Sequence, residues 1–354
     1  MRCLPLLLLS AALPVTAELR VENLEAKRSE WETYRFPLFN GDSPAIGRIN
    51  TYLHAVVLNG LPGRFERSPF ERIWPKEGEI WGTNNIDYMI DGQGPGYLSL
   101  SVTGEYTGAY TSMGTFTYPF DLTSGRPIGL EQLFTPAGLQ RLGERVGHER
   151  GQRIEAFLAE LPPPADATAE LDEDDERLET QRSMYQECLP RRSNSDLTYN
   201  RVELGRDSLK LIAEGCAPHV VLALDDLSEY SNSIPYAQLA DDFSPYGRCL
   251  LLEQRSDCQR PADLRAGGAY RGKIDGRYAI SLVLEGNVYA SSSYFYERYA
   301  RQIELSQRTI SANQVRLYEG GDNPAIFDLH LQPDGSLTGT WQQQGGKALP
   351  VELR

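Results

Sequence analysis

The sequence predicts an α+β fold, with antiparallel sheets and a few packing helices, followed by a mainly antiparallel β meander or barrel. Polar and apolar residues alternate from Ile86 to Phe120, as is typical of antiparallel strands with one buried face. Beyond residues 261–268, short segments of strand character recur at nearly even spacing to the last residue. Helical spacing of apolar residues is confined to a few segments between these two regions and before them.

The first seventeen residues, MRCLPLLLLSAALPVTA, have the pattern of a secretory signal peptide. Arg2 precedes an apolar run, and the small residues Val15 and Ala17 stand at the cleavage positions. The run is shorter than the roughly 20 residues that cross a bilayer. We therefore expect cleavage near Ala17, an exported protein that is periplasmic or extracellular, and no integral membrane segment in the mature chain.

The chain is acidic. Its formal net charge is -14, and removal of Arg2 with the signal peptide makes it -15. This charge disfavours binding to nucleic-acid phosphates and favours cationic partners.

Four cysteines follow the signal peptide, namely Cys188, Cys216, Cys249 and Cys258. An even number in an oxidising compartment favours two disulfides. Three pairings are open, and the short spacing within each half favours pairing of sequence neighbours. Zinc is the alternative, but the spacing typical of zinc ligands is missing, so we expect no metal site and no cofactor.

Before the alternating region, a polar lead-in with Trp31 and Phe36 precedes an amphipathic helix from Ala45 to Asn59, which Gly60 and Pro62 end. His54 on this helix is expected to be a surface or packing residue. Within the alternating region, residues 104–114 are interpreted as a long connection between two strands.

The stretch 115-TFTYPFDLTSGRPIGLEQLF-134 changes its period halfway along. A strand ends at Asp121, Ser124-Gly125 supplies a turn that permits positive φ, and a short apolar hook of helical spacing follows. Asp121 is expected to order the turn through backbone amides. With no second acid or histidine nearby in sequence, it is a poor candidate for acid-base catalysis.

The next segment is predicted to be a helix from Leu139 to Leu161. It is followed by an acidic segment over residues 162–180, which is interpreted as a solvated linker or an exposed helix. A calcium loop is the less favoured alternative for the linker, because the EF-hand alternation and its central glycine are missing. Strands are then expected at 197–204, 208–215 and 219–227, followed by a helical segment at 234–243.

A composition shift at residues 261–268 predicts a domain boundary. Beyond it, six to eight short strands at nearly even spacing predict the β meander or barrel. Its aromatic cluster is expected to divide between core and surface rather than to line a ligand site: Tyr289, Tyr294, Phe295, Tyr296 and Tyr299.

Residues 115–134 carry a pattern that resembles the extracellular domain of RsiV-like, lysozyme-sensing anti-sigma factors, which also accompanies PdaC-like peptidoglycan deacetylases. The matching positions are Phe120, Asp121, Leu122, Ser124, Gly125, Arg126, Ile128, Leu130, Leu133 and Phe134. The preceding 36-FPLFNG-41 with its helix and the later 235-PYAQL-239 extend the resemblance over about residues 30–252. It implies an extracellular α+β domain, which we place at 18–260. Separately, the all-β domain predicted at 266–354 resembles a small β module of exported bacterial proteins, through positions that include Tyr270, Gly272 and Trp341.

The chain also departs from that family. Where members carry a Gly-Gly-Ala-His hairpin motif, this chain has Thr107-Gly108-Ala109-Tyr110, and the deacetylase metal motif is missing. The resemblance therefore implies a shared fold without deacetylation. We expect Asp121, Gly125 and Arg126 to form a structural motif, and the candidate ligand-binding residues lie around the hairpin: Tyr106, Tyr110, Met113 and Phe116.

The function predicted on these grounds is that of an exported, non-enzymatic binding protein of the cell envelope. It would recognise a cationic protein such as lysozyme, through the hairpin or the acids near Asp172, or a cell-wall fragment. Two alternatives stay open. One is an enzyme that acts on glycans or modifies the cell wall through carboxylates dispersed in sequence, although no nucleophile or metalloprotease motif is found. The other is an accessory scaffolding protein.

Overall fold

The computed structural model describes residues 19–76, 78–79, 81–108, 110–164, 172–286, 291–321 and 324–354, without the side chains of residues 219, 307 and 308. Several predictions lie outside the described residues. They concern the signal peptide with its cleavage site near Ala17, Ala109 in the hairpin, the part of the acidic linker at 165–171, and Tyr289.

The first layer is a five-stranded sheet in the order β1-β2-β3-β4-β5. All neighbours are antiparallel except β2 and β3, which run parallel because a helix connects them. The segment before α1 was predicted as a polar lead-in, without strands. It instead forms the hairpin of β1 and β2. Strand β1 lies at the sheet edge and exposes most of its side chains, so its sequence lacks the apolar alternation that predicts a strand. The strands are β1 Arg20–Lys27, β2 Thr33–Asn40, β3 Gly82–Gln93, β4 Tyr97–Thr107 and β5 Ser112–Asp121.

The connecting helix α1 spans Pro44–Leu58, so the predicted helix is confirmed. The Ser43 side chain caps its first turn by accepting a hydrogen bond from the Ala45 amide. Asn59 ends it in the left-handed conformation, with φ of 53°. Its fully buried residues Ile49 and Leu53 pack against the sheet.

Strands β3, β4 and β5 confirm the predicted antiparallel strands, with two corrections. Residues 104–114 are not a long connection, because β4 continues to Thr107 and β5 starts at Ser112. Residues 98–102 of β4 are buried on both faces. Helix α1 shares a core with one face, and on the other face the Ser99 hydroxyl accepts a hydrogen bond from the Leu204 amide at 3.1 Å.

The middle of the chain adds helices and a second sheet. Helices α2 (Leu130–Leu133), α3 (Pro136–Glu160) and α4 (Glu173–Arg192) precede a sheet in the order β6-β7-β8. Its strands are Arg201–Leu204, Ser208–Ala213 and Tyr230–Pro235, and they are followed by the one-turn helix α5 (Pro245–Gly247) and a π-helical turn at Arg248–Leu252.

Three predictions in this region need correction. The linker predicted at 162–180 is shorter, because residues 173–180 belong to α4, as the alternative of an exposed helix predicted. The Asp172 side chain caps this helix by accepting a hydrogen bond from the Asp175 amide. The strand predicted at 219–227 is the 3₁₀ helix His219–Leu224. The helical segment predicted at 234–243 is shorter, because residues 234 and 235 complete β8 and only Tyr236–Leu239 forms a 3₁₀ helix.

The last part of the chain is a closed barrel of eight antiparallel strands, in which β16 returns to pair with β9. This confirms the predicted fold class. A short 3₁₀ turn, Leu264–Ala266, leads into it. The strands are β9 Gly267–Ile274, β10 Tyr278–Glu285, β11 Ser292–Tyr296, β12 Gln302–Ile310, β13 Gln314–Glu319, β14 Ala325–Leu331, β15 Leu337–Gln343 and β16 Leu349–Leu353.

Helix α1 packs against both the first sheet and the barrel. Ala269, Val283 and Phe295 of the barrel wall belong to the same apolar core as α1 and β4, whereas the barrel interior has a core of its own. The division into 18–260 and 266–354 stays a prediction. Among the described residues, no helix combines the length and the apolar character needed to cross a membrane.

Candidate ligand-binding groove

The four candidate ligand-binding residues lie at the projecting end of the β4–β5 hairpin. Tyr110, Met113 and Phe116 are 69%, 64% and 50% exposed, although they are large and apolar. Tyr106 is partly buried against Phe116, with ring centroids 6.1 Å apart and an edge-on angle of 81°. An exposed apolar group of this kind is a common feature of binding surfaces.

Strand alternation separates these residues into two groups. Tyr106 and Phe116 share one face of the hairpin. Tyr106 pairs with Ser112, and Phe116 lies an even number of residues from Ser112, whereas Met113 lies an odd number away and is on the other face. The facing pair Gly104 and Gly114 lets the Tyr106 ring lie close to the strands: a Cβ on Gly104 would stand 2.8 Å from the Tyr106 hydroxyl. Tyr106, Tyr110 and Phe116 therefore line a common surface, and Met113 does not.

That surface is one wall of a groove of about 1150 Å³. The other walls come from α1, the segment before β3, residues 127–129, strand β6, the turn before β9 and the end of β10. Trp81, 66% exposed, packs beside Gly108 at the hairpin tip. The groove is rich in aromatic side chains, which are Tyr52, Trp74, Trp81, Tyr106, Tyr110, Phe116 and Tyr118.

A carboxyl group from the barrel, Glu285, also lines the groove. The Tyr52 hydroxyl of α1 donates a hydrogen bond to its Oε2 at 3.1 Å. Burial raises the pKa of Glu285 to about 7, and the hydrogen bond from Tyr52 offsets part of that rise. Burial, together with the nearby Glu285 carboxylate, also raises the pKa of Tyr52 and of Tyr118 well above the usual value, so both hydroxyls keep their protons.

The cations that line the groove already have partners. Lys76 pairs with Glu79 at 3.4 Å, and Arg265 pairs with Asp263 at 2.6 Å. Arg201 pairs with Glu229, and the Arg72 guanidinium donates to the carbonyl oxygen of Asn59. The described lining therefore offers aromatic faces, two carboxyl groups and four cations that already donate to protein acceptors.

The motif that carries the family resemblance has a structural role outside the groove. Asp121 Oδ1 accepts a hydrogen bond from the Ser124 amide at 2.6 Å, and its Oδ2 accepts one from the Tyr246 hydroxyl at 2.8 Å. Gly125 has φ of 69°, and a Cβ there would stand 2.2 Å from the Ala45 carbonyl oxygen. The expected turn around Asp121 is thus present.

Arg126, the third residue of the motif, joins this turn to the barrel. Its guanidinium carbon lies 4.5 Å from the centre of the Tyr270 ring, and it donates a hydrogen bond to the carbonyl oxygen of Gly335. Arg126 therefore holds the barrel against the rest of the chain.

The cysteines form disulfides between sequence neighbours, Cys188 with Cys216 and Cys249 with Cys258. Such bonds are typical of exported proteins. Within the described part of the chain, no three His, Cys, Asp or Glu side chains form a group that could hold a metal ion.

Three other predicted features have structural explanations. The acids after Asp172 form the first turn of α4, where negative side chains stabilise the positive end of the helix dipole. His54 is buried, as a packing residue, and its Nδ1 lies 2.9 Å from the Asn50 carbonyl oxygen. In the barrel, Tyr294 and Phe295 are buried, Tyr296 is partly buried and Tyr299 is 69% exposed, which is the predicted division.

Sequence reasoning missed Glu285, Tyr52 and Trp81. Tyr52 and Glu285 are 233 residues apart, so no local spacing relates them. Of the three, Trp81 could have been found from the sequence, because it is a large apolar residue that precedes Gly82 and lies outside any periodic pattern.

Comparisons with known proteins give a limited result. No family profile matches the chain, and no curated protein matches it. A solved member of the DUF3298 family from Bacteroides fragilis NCTC 9343 is similar over 68% of this chain and 99% of its own, with 14% identity and a TM-score of 0.44. A DUF3298 family protein from Pseudomonas aeruginosa PAO1 is similar over 65% and 96%, with 14% identity and a TM-score of 0.37. Neither is described as RsiV-like or PdaC-like, so that resemblance stays a prediction.

Proposed function

We propose that the protein is an exported, non-enzymatic binding protein of the cell envelope, and that its groove binds a glycan fragment of the cell wall. The observation that supports this is the exposed aromatic lining of the groove. One face of a sugar ring consists of C–H groups, and that face packs well on a flat aromatic ring. A concave site whose walls are largely apolar and aromatic is the usual form of a small-molecule site.

Lysozyme is the second candidate ligand, because the acidic first turn of α4 and the net charge of -14 attract cations. These acids lie outside the groove lining, and their position at a helix N-terminus has a structural explanation. The groove therefore favours the glycan over the cationic protein.

The proposal is tested by calorimetric titration of the protein with an uncharged tetramer of β-1,4-linked N-acetylglucosamine, with lysozyme titrated in parallel at two salt concentrations. We expect saturable binding of the tetramer that does not change with salt. Binding of lysozyme alone, persisting at physiological salt where exposed charges are screened, would replace the glycan with the protein ligand.

Variants of the hairpin provide a matched comparison. Phe116→Ala and Tyr110→Ala remove rings from the groove and are expected to weaken tetramer binding about tenfold each, which corresponds to about 1.4 kcal/mol. Met113→Ala removes an equally exposed side chain from the opposite face and should leave the affinity within about twofold. Equal losses in all three variants would contradict a site in the groove.

The same tetramer distinguishes a binding protein from an enzyme. We expect its length to be unchanged after prolonged incubation, as judged by mass spectrometry. Release of shorter sugars, abolished by replacing a groove carboxyl group, would favour the glycan-acting enzyme.

A further inference from the structure

We propose that the barrel completes the groove, and that Glu285 is the polar contact that orients the bound sugar by accepting hydrogen bonds from its hydroxyl groups. This inference rests on the proposed glycan binding and adds to it the residue that recognises the ligand. It also assigns the barrel a direct part in binding.

The position of Glu285 supports this role. It is the last residue of β10, and the core shared by α1 and the barrel wall holds this strand beside the groove. The aromatic walls come from α1 and from the β4–β5 hairpin, so Glu285 approaches the ligand space from a third direction. Its Oε1 is buried, so the acceptor for a ligand hydroxyl would be Oε2, beside the Tyr52 hydroxyl.

Neighbouring contacts keep the carboxyl group in place. The Tyr52 hydroxyl from α1 donates to Oε2, and the Glu285 amide donates to the Ser292 hydroxyl of β11 at 3.0 Å. Tyr118 from β5 is the other titratable group close to it, and burial keeps both tyrosines protonated. Arg265 lines the same groove from the turn before β9 and is paired with Asp263.

The chemistry of a carboxyl group defines the ligand class. A carboxylate accepts hydrogen bonds from hydroxyl groups, and charge-assisted bonds are roughly twice as strong as neutral ones. A negatively charged ligand would be repelled by Glu285 and would meet cations that already have partners. The groove therefore fits a neutral sugar with free hydroxyl groups.

Binding should depend on pH for the same reason. Burial raises the pKa of Glu285 to about 7, so the group ionises within the accessible pH range. The ionised group is the stronger acceptor, and hence the affinity for the neutral tetramer should rise by about tenfold from pH 6 to pH 8. The tetramer has no ionisable group, so this change would come from the protein.

The test is calorimetric titration of the tetramer at several pH values with the wild-type chain, Glu285→Gln and Glu319→Gln. Glutamine keeps the shape of the side chain and removes its titration. Glu319 is the control, because it is a barrel carboxyl group that accepts a hydrogen bond from the Tyr294 hydroxyl at 3.3 Å and is not part of the groove lining. We expect the pH dependence to persist in Glu319→Gln and to disappear in Glu285→Gln, with weaker binding at pH 8.

The outcomes separate the two proposals. If the wild-type chain binds the tetramer and Glu285→Gln binds it with the same affinity and the same pH profile, Glu285 has no part in recognition and the inference fails alone. If the wild-type chain does not bind the tetramer at any pH, the proposed glycan function fails, and the role of Glu285 fails with it.

Discussion

Two residues, the partly buried Glu285 and the buried His54, have pKa values that folding shifts in opposite directions. Burial raises the pKa of Glu285 from 4.5 to about 7 and lowers the pKa of His54 from 6.5 to about 4. The stabilising contribution of Glu285 is fully present below about pH 4.5 and is lost as the pH rises through 7. The contribution of His54 is present above about pH 6.5 and is lost as the pH falls through 4.

The substitutions Glu285→Gln and His54→Gln should separate these effects. Between pH 4.5 and 7, the free energy of unfolding of Glu285→Gln should rise relative to wild type by on the order of 3 kcal/mol. The free energy of unfolding of His54→Gln should fall relative to wild type as the pH rises from about 4 to 6.5. Urea denaturation at several pH values measures both differences, and parallel pH profiles for the three proteins would contradict the assigned shifts.

At the scale of elements, the two disulfides close loops of different length. Cys188–Cys216 joins the end of α4 to the segment after β7 across 28 residues, and Cys249–Cys258 closes a turn across 9 residues. A cross-link restricts the unfolded chain more when it closes a longer loop. The first disulfide should therefore contribute more to stability.

Paired substitutions test this difference. Removing Cys188 and Cys216 together by alanine should lower the free energy of unfolding by roughly 1 kcal/mol more than removing Cys249 and Cys258 together. Urea denaturation of the two double variants at one pH measures the difference. A larger loss from the short loop would show that native-state packing, rather than loop closure, dominates.

At the scale of the whole molecule, the barrel and the first sheet share a core. Phe295 is fully buried and points from the barrel wall toward α1, whereas Phe327 is equally buried inside the barrel. A large-to-small change in such a core costs about 3–5 kcal/mol. Substitution of Phe295 therefore tests whether the barrel stabilises the first sheet and α1, and substitution of Phe327 tests the stability of the barrel itself.

We expect Phe295→Ala to lower hydrogen-exchange protection in the barrel, in α1 and in β4 together. Phe327→Ala should lower protection mainly in the barrel strands. Hydrogen exchange followed by mass spectrometry resolves the peptides of each region. Unchanged protection of α1 in Phe295→Ala would mean that the two halves are stabilised independently.

Local patterns predicted much of the fold. Period-two alternation located the barrel strands and the β3–β5 region, and helical spacing located α1 and α3, because these periods follow from backbone geometry. The turn at Asp121 and Gly125 was predictable from residues with special backbone preferences. The failures came where burial was atypical: β1 is an exposed edge strand, α4 begins with acids that are also common in linkers, and residues 219–224 form a 3₁₀ helix despite their β-branched valines.

The sequence by itself determined the secondary structure of most segments, the cysteine count and the aromatic character of the hairpin. Strand alternation places Phe116 and Met113 on opposite faces of the hairpin, but only the tertiary structure decided that the face with Phe116 lines the groove, because distant elements form the other walls. It alone placed Glu285 beside Tyr52, 233 residues apart. Local periodicity determines which face of an element is apolar, but the packing of distant elements determines which side chains meet in one site.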